Sequence, residues 1–429
     1  MSRILKTMIV LLAIAAMVAP AMAEDRLTLG GQMRVRAWSK DFDSKRLNND
    51  GDVTKKKHTN TYADQRLRIG GKLSVAEGVS ITFRTDITES TWGTGNTFGS
   101  GRVHMQQWDR AHLDLTMGQS HFRAGQQYVS YGLASTINTQ SNGLRYDYNG
   151  DINFSTFLLL VDNNGNAADN FLYGANIGNK GDNYKANLFF GYQNNSHPGV
   201  IDWKAAGGPV VVDQDGESVY MVGLDTVYNM DAFTIKGEFN YFAGDASKDV
   251  DAFGTQLFLD VAMAASEQFT VGGQFYYALG DDKDRQYTYL GDDFNGYDPL
   301  FDVGTSLSDE QIMVGRPFDL GTSLIGVGLG VTREGSLDGA ASTGVVGGRL
   351  YTNYKASDAL NLGASFAYMT PEEDKHFKDF DSASFYAVGA TYALMANTSL
   401  HAQVEYIDVD TKAKVDSAIL SGVGLFVNF

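Results

Sequence analysis

The side chains with the clearest chemistry in this 429-residue chain are arginines, and they are unevenly placed. Of the fifteen that follow Arg3, eleven lie between Arg26 and Arg145. In each apolar-alternating segment of that stretch they fall on one phase. Leu29, Met33 and Val35 oppose Arg34 and Arg36. Leu67 and Ile69 oppose Arg66 and Arg68; Ile81, Phe83 and Ile87 oppose Arg84 and Asp86. Ala111, Leu113 and Leu115 oppose Arg110, His112 and Asp114; Phe122 and Ala124 oppose Arg123; Leu144 and Tyr146 oppose Arg145 and Asp147. A guanidinium presents a planar fork of donors that fits carboxylates and phosphates. Two uses of such a set are open. It guides anions, or it pairs with Asp86, Asp114 and Asp147 on neighbouring segments. Asp225, Glu238, Asp260 and Glu405 are the acidic candidates of the later segments.

Other chemistry is sparse. There is no cysteine, which excludes disulfides, thiolate catalysis and Cys-ligated metal centres. A net charge of -17 and a pI near 4.7 exclude the basic footprint of a nucleic-acid binder. No hydrolase, zinc-protease or nucleotide-binding motif is found, so no catalytic residue, cofactor or metal ligand is assigned. The seven histidines are scattered, and His112 beside Asp114 reads as a wall hydrogen bond. Asp213-x-Asp215-Gly216-Glu217 lacks the remaining spacing of a calcium loop. Acids from Asp281 to Asp298 and from Glu372 to Asp381 read as solvated loops. Divalent cations bridging to lipopolysaccharide are the sharper alternative.

The elements that carry these residues alternate with period two. Leu360, Leu362, Ala364, Phe366 and Tyr368 interleave with small or polar residues, as do Leu400, Ala402, Val404 and Tyr406. Residues 1–23 read as a secretory signal: Arg3 and Lys6, an apolar run from Thr7 to Ala19, and Ala21-Met22-Ala23 as cleavage site. Residues 24–429 then carry a charge of -19 and no apolar run long enough for a spanning helix.

Connections alternate between short and long. Glu77-Gly78, Gly118-Gln119-Ser120, Gly150-Asp151, Asn229-Met230-Asp231, Ser357-Asp358 and Ala396-Asn397 are tight turns. Between them lie 40–60, 90–106, 194–216, 280–343 and 370–381. Short turns at one end and long loops at the other are the habit of outer-membrane barrels. Trp38, Tyr128, Tyr192, Phe242, Tyr277, Tyr354 and Tyr368 stand near strand ends and are expected in interfacial girdles. Val423, Leu425, Val427 and Phe429 resemble the terminal assembly signal of Gram-negative outer-membrane proteins.

A sheet spanning lipid has to close, because every backbone group needs a partner. Nineteen strand candidates can be counted. Parity leaves eighteen, with sixteen to twenty tolerated, and folds 321–333 into the loop 280–343. The expected fold is thus a single all-β, transmembrane antiparallel barrel. A charge on the lipid face costs about 2–4 kcal/mol at mid-membrane, so Arg34, Arg36, Arg66, Arg68, Arg84, Arg110, Arg123 and Arg145 are expected to face the lumen. A wall of six strands spaced about 4.8 Å apart makes the strip continuous. The third outer loop is expected at 129–141. Resemblance to trimeric porins implies that this loop narrows the lumen; it is short and uncharged, and 280–343 is an equal candidate.

Arg110-Ala-His-Leu-Asp-Leu115, Phe122-Arg-Ala-Gly-Gln-Gln127, Tyr131-Gly132 and Gly143-Leu-Arg-Tyr-Asp-Tyr148 resemble porin-like barrels of the alginate-export type and porins of delta-proteobacteria. Gln126 stands where that pattern carries a second arginine. The resemblance implies an outer-membrane diffusion channel with Arg110, Arg123 and Arg145 on its wall. It also implies small hydrophilic solutes, outer-membrane lipid and lipopolysaccharide, the barrel-assembly machinery and a possible homotrimer as partners. The alternative is a structural or partner-binding barrel, an adhesin or sheath, without open conductance.

Overall fold

Alternation produces strands, and in this chain the strands close into a ring. The computed structural model describes residues 26–47, 53–92, 107–133, 137–163, 169–195, 200–202, 210–212, 217–247, 250–279, 285–287, 345–370, 372, 380–411 and 415–429. The signal segment, Asp213 and Asp215, and nearly all of 280–343 lie outside these residues. The first strands are β1 (Leu27–Leu47), β2 (Val53–Ala76), β3 (Val79–Thr91), β4 (Gln107–Met117), β5 (Ser120–Tyr131) and β6 (Ile137–Asn149). Then come β7 (Ile152–Asn163), β8 (Asp169–Lys180), β9 (Tyr184–Asn195), β10 (Val200–Asp202), β11 (Val210–Val212), β12 (Glu217–Met230) and β13 (Phe233–Ser247). The last are β14 (Val250–Ala264), β15 (Phe269–Ala278), β16 (Arg285–Tyr287), β17 (Val345–Lys355), β18 (Leu360–Thr370), β19 (Phe380–Met395), β20 (Thr398–Thr411) and β21 (Val415–Asn428).

Eighteen of these form a closed antiparallel ring. Neighbours pair in chain order from β1 to β9, β9 pairs with β12, and β15 with β17. The ring closes where β21 pairs with β1, from Gln32↔Asn428 upward. The short β10 and β11 make their own hairpin, and β16 lies parallel to the start of β14. The direct β15–β17 ladder, Phe269↔Tyr354 to Ala278↔Val345, leaves no room for a span between them, in keeping with the count of eighteen.

The two faces of the ring differ. Leu29, Leu113, Leu144, Leu188, Leu224, Leu350 and Val388 are exposed outward, the apolar surface that lipid requires. The alternate residues face inward and include Gln193, Asp225, Gln256, Asp260 and Glu405, all buried. Among the described residues no helix is long and apolar enough to cross a membrane.

Three expectations need correction. The stretch 40–60 is mostly strand, because the β1–β2 ladder continues to Leu47↔Val53. Backbone pairing alone sustains a ribbon beyond the roughly 9–11 residues that a membrane needs. Trp38 and Phe242 are not girdle residues. Both are buried, and each shares the inward phase, Trp38 with Arg34 and Arg36, Phe242 with Glu238 and Asn240. Tyr354 and Tyr368 are exposed outward, as a girdle requires.

The third correction concerns 129–141, which is largely hairpin rather than loop. β5 and β6 stay paired up to Tyr131↔Ile137. The ladder from β4 to β5, however, stops at Ala111↔Gln126, and that from β6 to β7 starts at Asn142↔Leu160. Between those limits the hairpin has no wall neighbour, and its tip turns into the barrel. Gly125 makes the departure possible. Its φ is +124°, and a Cβ there would collide with the Ala111 carbonyl. At the seam, side chains take over from the backbone. Gln126 Nε2 donates to the Trp108 carbonyl, and the Ser141 hydroxyl donates to the Leu160 carbonyl.

Candidate functional site

The inner face of β1–β6 carries a band of ion pairs, most of them between neighbouring strands. Arg36 lies opposite Asp64 and its Nε donates to Asp64 Oδ1 at 2.8 Å; Trp38 Nε1 donates to Oδ2 of the same carboxylate at 2.6 Å. Arg68 lies opposite Asp86 and grips it with two bonds, 2.6 and 3.0 Å. Arg84 pairs with Asp109. Arg123 lies opposite Asp114 at 3.1 Å, and Arg145 pairs with Asp147, two residues along β6, at 2.8 Å.

Asp114 is the most heavily used acceptor. It receives the Thr82 hydroxyl at 2.7 Å and Arg123, and His121 Nε2 lies 2.9 Å and His112 Nδ1 3.1 Å from its oxygens. The cross-strand pairing anticipated for Asp86 and Asp114 is therefore present, whereas Asp147 takes its arginine from its own strand. Asp64 and Asp109 also serve, which phase alone did not single out. Asp109 turns inward because a bulge between β3 and β4 breaks the alternation: Arg84 faces Arg110, while the next pair is Thr85↔Trp108.

Arg110 is placed by that bulge. Its Nε is 3.9 Å from Asp109, and its guanidinium lies 5.6 Å from the ring of Tyr128, which keeps the phase of the outward Phe122. Of the eight singled-out arginines it has the most irregular setting. Arg34 and Arg66 stand directly opposite each other and are buried; Arg66 donates to Gln32 Oε1 at 3.0 Å. Within the band, Arg36, Arg68, Arg84, Arg123 and Arg145 thus pair with five aspartates, Asp64, Asp86, Asp109, Asp114 and Asp147. Near its lower edge a recess of about 400 Å³ is lined by Gly30, Gln32, Arg68, Gly70, Lys72 and Arg84.

The acidic residues of the later strands are also inward and buried, but they do not form one cluster. Asn187 donates to Asp225 at 2.7 Å. Tyr351 donates to Asp260 at 2.9 Å, and Lys236 lies 3.6 Å from its other oxygen. Glu238 takes the Asn240 amide at 2.8 Å. Asp225, Glu238 and Asp260 sit on β12, β13 and β14, across the ring from β1–β3. Glu405 sits on β20, two strands from β1, so it borders the arginine band instead of facing it. No group of three or more potential metal-ligating side chains occurs among the described residues.

The family model for phosphate-selective porin O and P matches residues 38–253, half of the chain and all of the arginine wall beyond Arg36. The chain belongs to that family. No curated protein matches it in sequence. Among solved structures it is similar to OccK11 (OpdR) of Pseudomonas aeruginosa, with 9% identity, 94% of this chain and 96% of that chain covered, and a TM-score of 0.53. It is also similar to OpdQ of Pseudomonas aeruginosa (10% identity, 94% and 98% covered, TM-score 0.52). OccAB4 of Acinetobacter baumannii gives 11% identity, 93% and 98% coverage and a TM-score of 0.51. These likenesses concern the fold.

The porin is an outer-membrane barrel of a Gram-negative bacterium and forms a channel for small solutes. Its family and fold are those of a channel and not of an enzyme. Eighteen strands leave an aqueous lumen, since barrels of about 16–18 strands are too wide for side chains to fill. At the closure seam, Gly31 N donates to the Phe429 carbonyl at 2.7 Å and Phe429 N donates to Gly31 O at 3.0 Å. Val423, Leu425 and Phe429 are exposed outward beside them.

Proposed function

We propose that this porin passes small hydrophilic anions, with carboxylates and phosphates as the preferred class, along the wall built by β1–β6. The observation that carries the reading is the openness of paired guanidiniums on that wall. Arg84, Arg123 and Arg145 are held by aspartates, yet their side chains keep 29, 23 and 21% of their surface open. Pairing therefore fixes these cations in place while part of each fork stays open to a passing anion. A basic strip lowers the entry barrier for anions and raises it for cations. The family description, which names phosphate selectivity, supports the same solute class. The recess beside Lys72, Arg68 and Arg84 offers guanidinium and ammonium donors to an anion on its way past.

The test is a reversal potential in a salt gradient across a planar bilayer. The porin is expected to favour anions, and replacing Arg34, Arg66, Arg84 and Arg110 together by Gln is expected to move the reversal potential toward cations. An unchanged potential would reduce these arginines to wall pairing.

The remaining parts of the reading are proposals of the same kind. Residues 1–23 direct export and are removed, and Val423, Leu425, Val427 and Phe429 present the chain to the assembly machinery. Outer-membrane lipid and lipopolysaccharide surround the barrel, and a homotrimer is its assembled form. The second reading, a structural or partner-binding barrel without open conductance, has one observation in its favour, the apolar packing inside part of the ring. A silent bilayer with folded protein would select it.

A further inference from the structure

The lumen of a wide barrel is expected to be wet, yet part of this one is packed like a protein core. Val129, Tyr131 and Ile137 of the inserted hairpin bury themselves against Phe157, Leu159, Leu172, Phe189, Val219, Met221 and Phe242. Those wall residues all have the inward phase of β7, β8, β9, β12 and β13. The rings interlock: Tyr131 lies 5.2 Å from Phe157 and 6.3 Å from Phe189, and the Ser155 hydroxyl donates to the Tyr131 hydroxyl at 2.8 Å. Charged inward side chains of the arginine wall are more open: Arg84, Arg123 and Arg145 keep 29, 23 and 21% of their side-chain surface exposed. Lys236, on β13 near its start, keeps 31%.

We infer that the inserted hairpin divides the lumen and confines the solute path to the side of the arginine wall, and that Glu238 is the positioning residue that fixes the division. The hairpin tip reaches across to β13. There the Leu133 N–H donates to Glu238 Oε2 at 2.6 Å. Gly132, with a φ of +78°, lies so close that a Cβ would run into the Glu238 carboxylate. Asn240 holds the other carboxylate oxygen, so the acceptor is itself oriented. An apolar clasp supplies the adhesion, which is non-directional. A charge-assisted hydrogen bond from Leu133 to Glu238 supplies the position. Removing the acceptor takes the carboxylate partner from a part-buried backbone donor, which disfavours the inserted arrangement. This inference does not depend on which ions the wall selects.

The absence of native cysteine makes the test direct. Single cysteines at Leu172 and Val219 would be exposed to a charged, membrane-impermeant thiol reagent in the full-length barrel, with Lys72→Cys as the accessible control. In the otherwise native protein Lys72→Cys is expected to react, and Leu172→Cys and Val219→Cys to stay unmodified. In the Glu238→Ala background both are expected to become reactive, with a higher single-channel conductance and a larger size limit for sugars. Glu238→Gln keeps an acceptor oxygen and is expected to restore the native conductance and protection. Folding is verified for each variant by heat-modifiable gel mobility. Gly132→Ala, which drives a methyl into the same contact, is the second variant should Glu238→Ala not assemble. Labelling of Leu172→Cys and Val219→Cys in the native background would overturn the divided lumen. Unchanged conductance and protection in folded Glu238→Ala would overturn the role of Glu238.

Discussion

Arg34 and Arg66 face each other directly across the β1–β2 ladder, both buried, with Gln32 accepting a bond from Arg66. Like charges directly opposite on one sheet face oppose folding by about 0.2–1 kcal/mol. On its other side Arg66 lies opposite Glu89 of β3, so the wall sets it between a like and an opposite charge. Arg66→Gln removes both effects and is therefore expected to move the unfolding midpoint little while lowering anion preference. Denaturant titration in detergent and reversal potentials on the same preparation check both halves.

Asp114 is the opposite case. Four polar groups from β3, β4 and β5 converge on it. Asp114→Asn removes the charge and leaves Arg123 without its counterion. Breaking one side of a largely buried pair costs about 3–5 kcal/mol. A large drop in the urea midpoint is expected, together with a stronger anion preference in the molecules that fold. A variant as stable as the native porin would show that water, not Asp114, carries these bonds.

Trp38→Phe tests the indole bond. Trp38 stacks on Tyr62, 5.9 Å away, with the cationic Arg36 above it at 4.8 Å. The substitution keeps an aromatic ring there but removes the indole N–H to Asp64, together with some buried ring surface. Hydrogen bonds to charged groups contribute about 1.5–3 kcal/mol, so a loss in that range is expected in equilibrium unfolding.

Asp358, in the turn between β17 and β18, supplies the contrast. Lys355 lies 2.8 Å away and holds the Asp358 carboxyl below its usual range, the hydrogen bond first and the charge second. Because the folded value is the lower one, any stabilisation is present at neutral pH and fades as pH falls through the acid range. Both partners are open to solvent, where such pairs contribute little. Asp358→Asn is expected to leave the neutral-pH unfolding midpoint unmoved and to remove at most a slight acid dependence.

Much of the wall was legible because a barrel strand has two environments and a period of two. The phases of Arg34, Arg66, Arg123 and Arg145 followed from Leu29, Leu67, Phe122 and Leu144. Trp38 and Phe242 carried the same information in their phase, but their position near strand ends pointed to a girdle. What local pattern does not encode is a break in pattern. The bulge that turns Asp109 inward depends on how β3 and β4 align. The departure of the hairpin at Gly125 depends on two ladders ending at matching heights, and a glycine in a strand announces neither. The partner of Leu133 lies 105 residues away, on β13.

The seam where the hairpin leaves the wall separates two duties that a barrel usually combines. Among the described residues of 127–141, the backbone ladders hold only the β5–β6 pair, since the ladders to β4 and β7 end at Gln126 and resume at Asn142. A short turn joining those two positions would keep all eighteen strands in register. Girth and bore are thus set by separate parts of the chain, and the bore can be altered while the enclosing ring keeps its strand number.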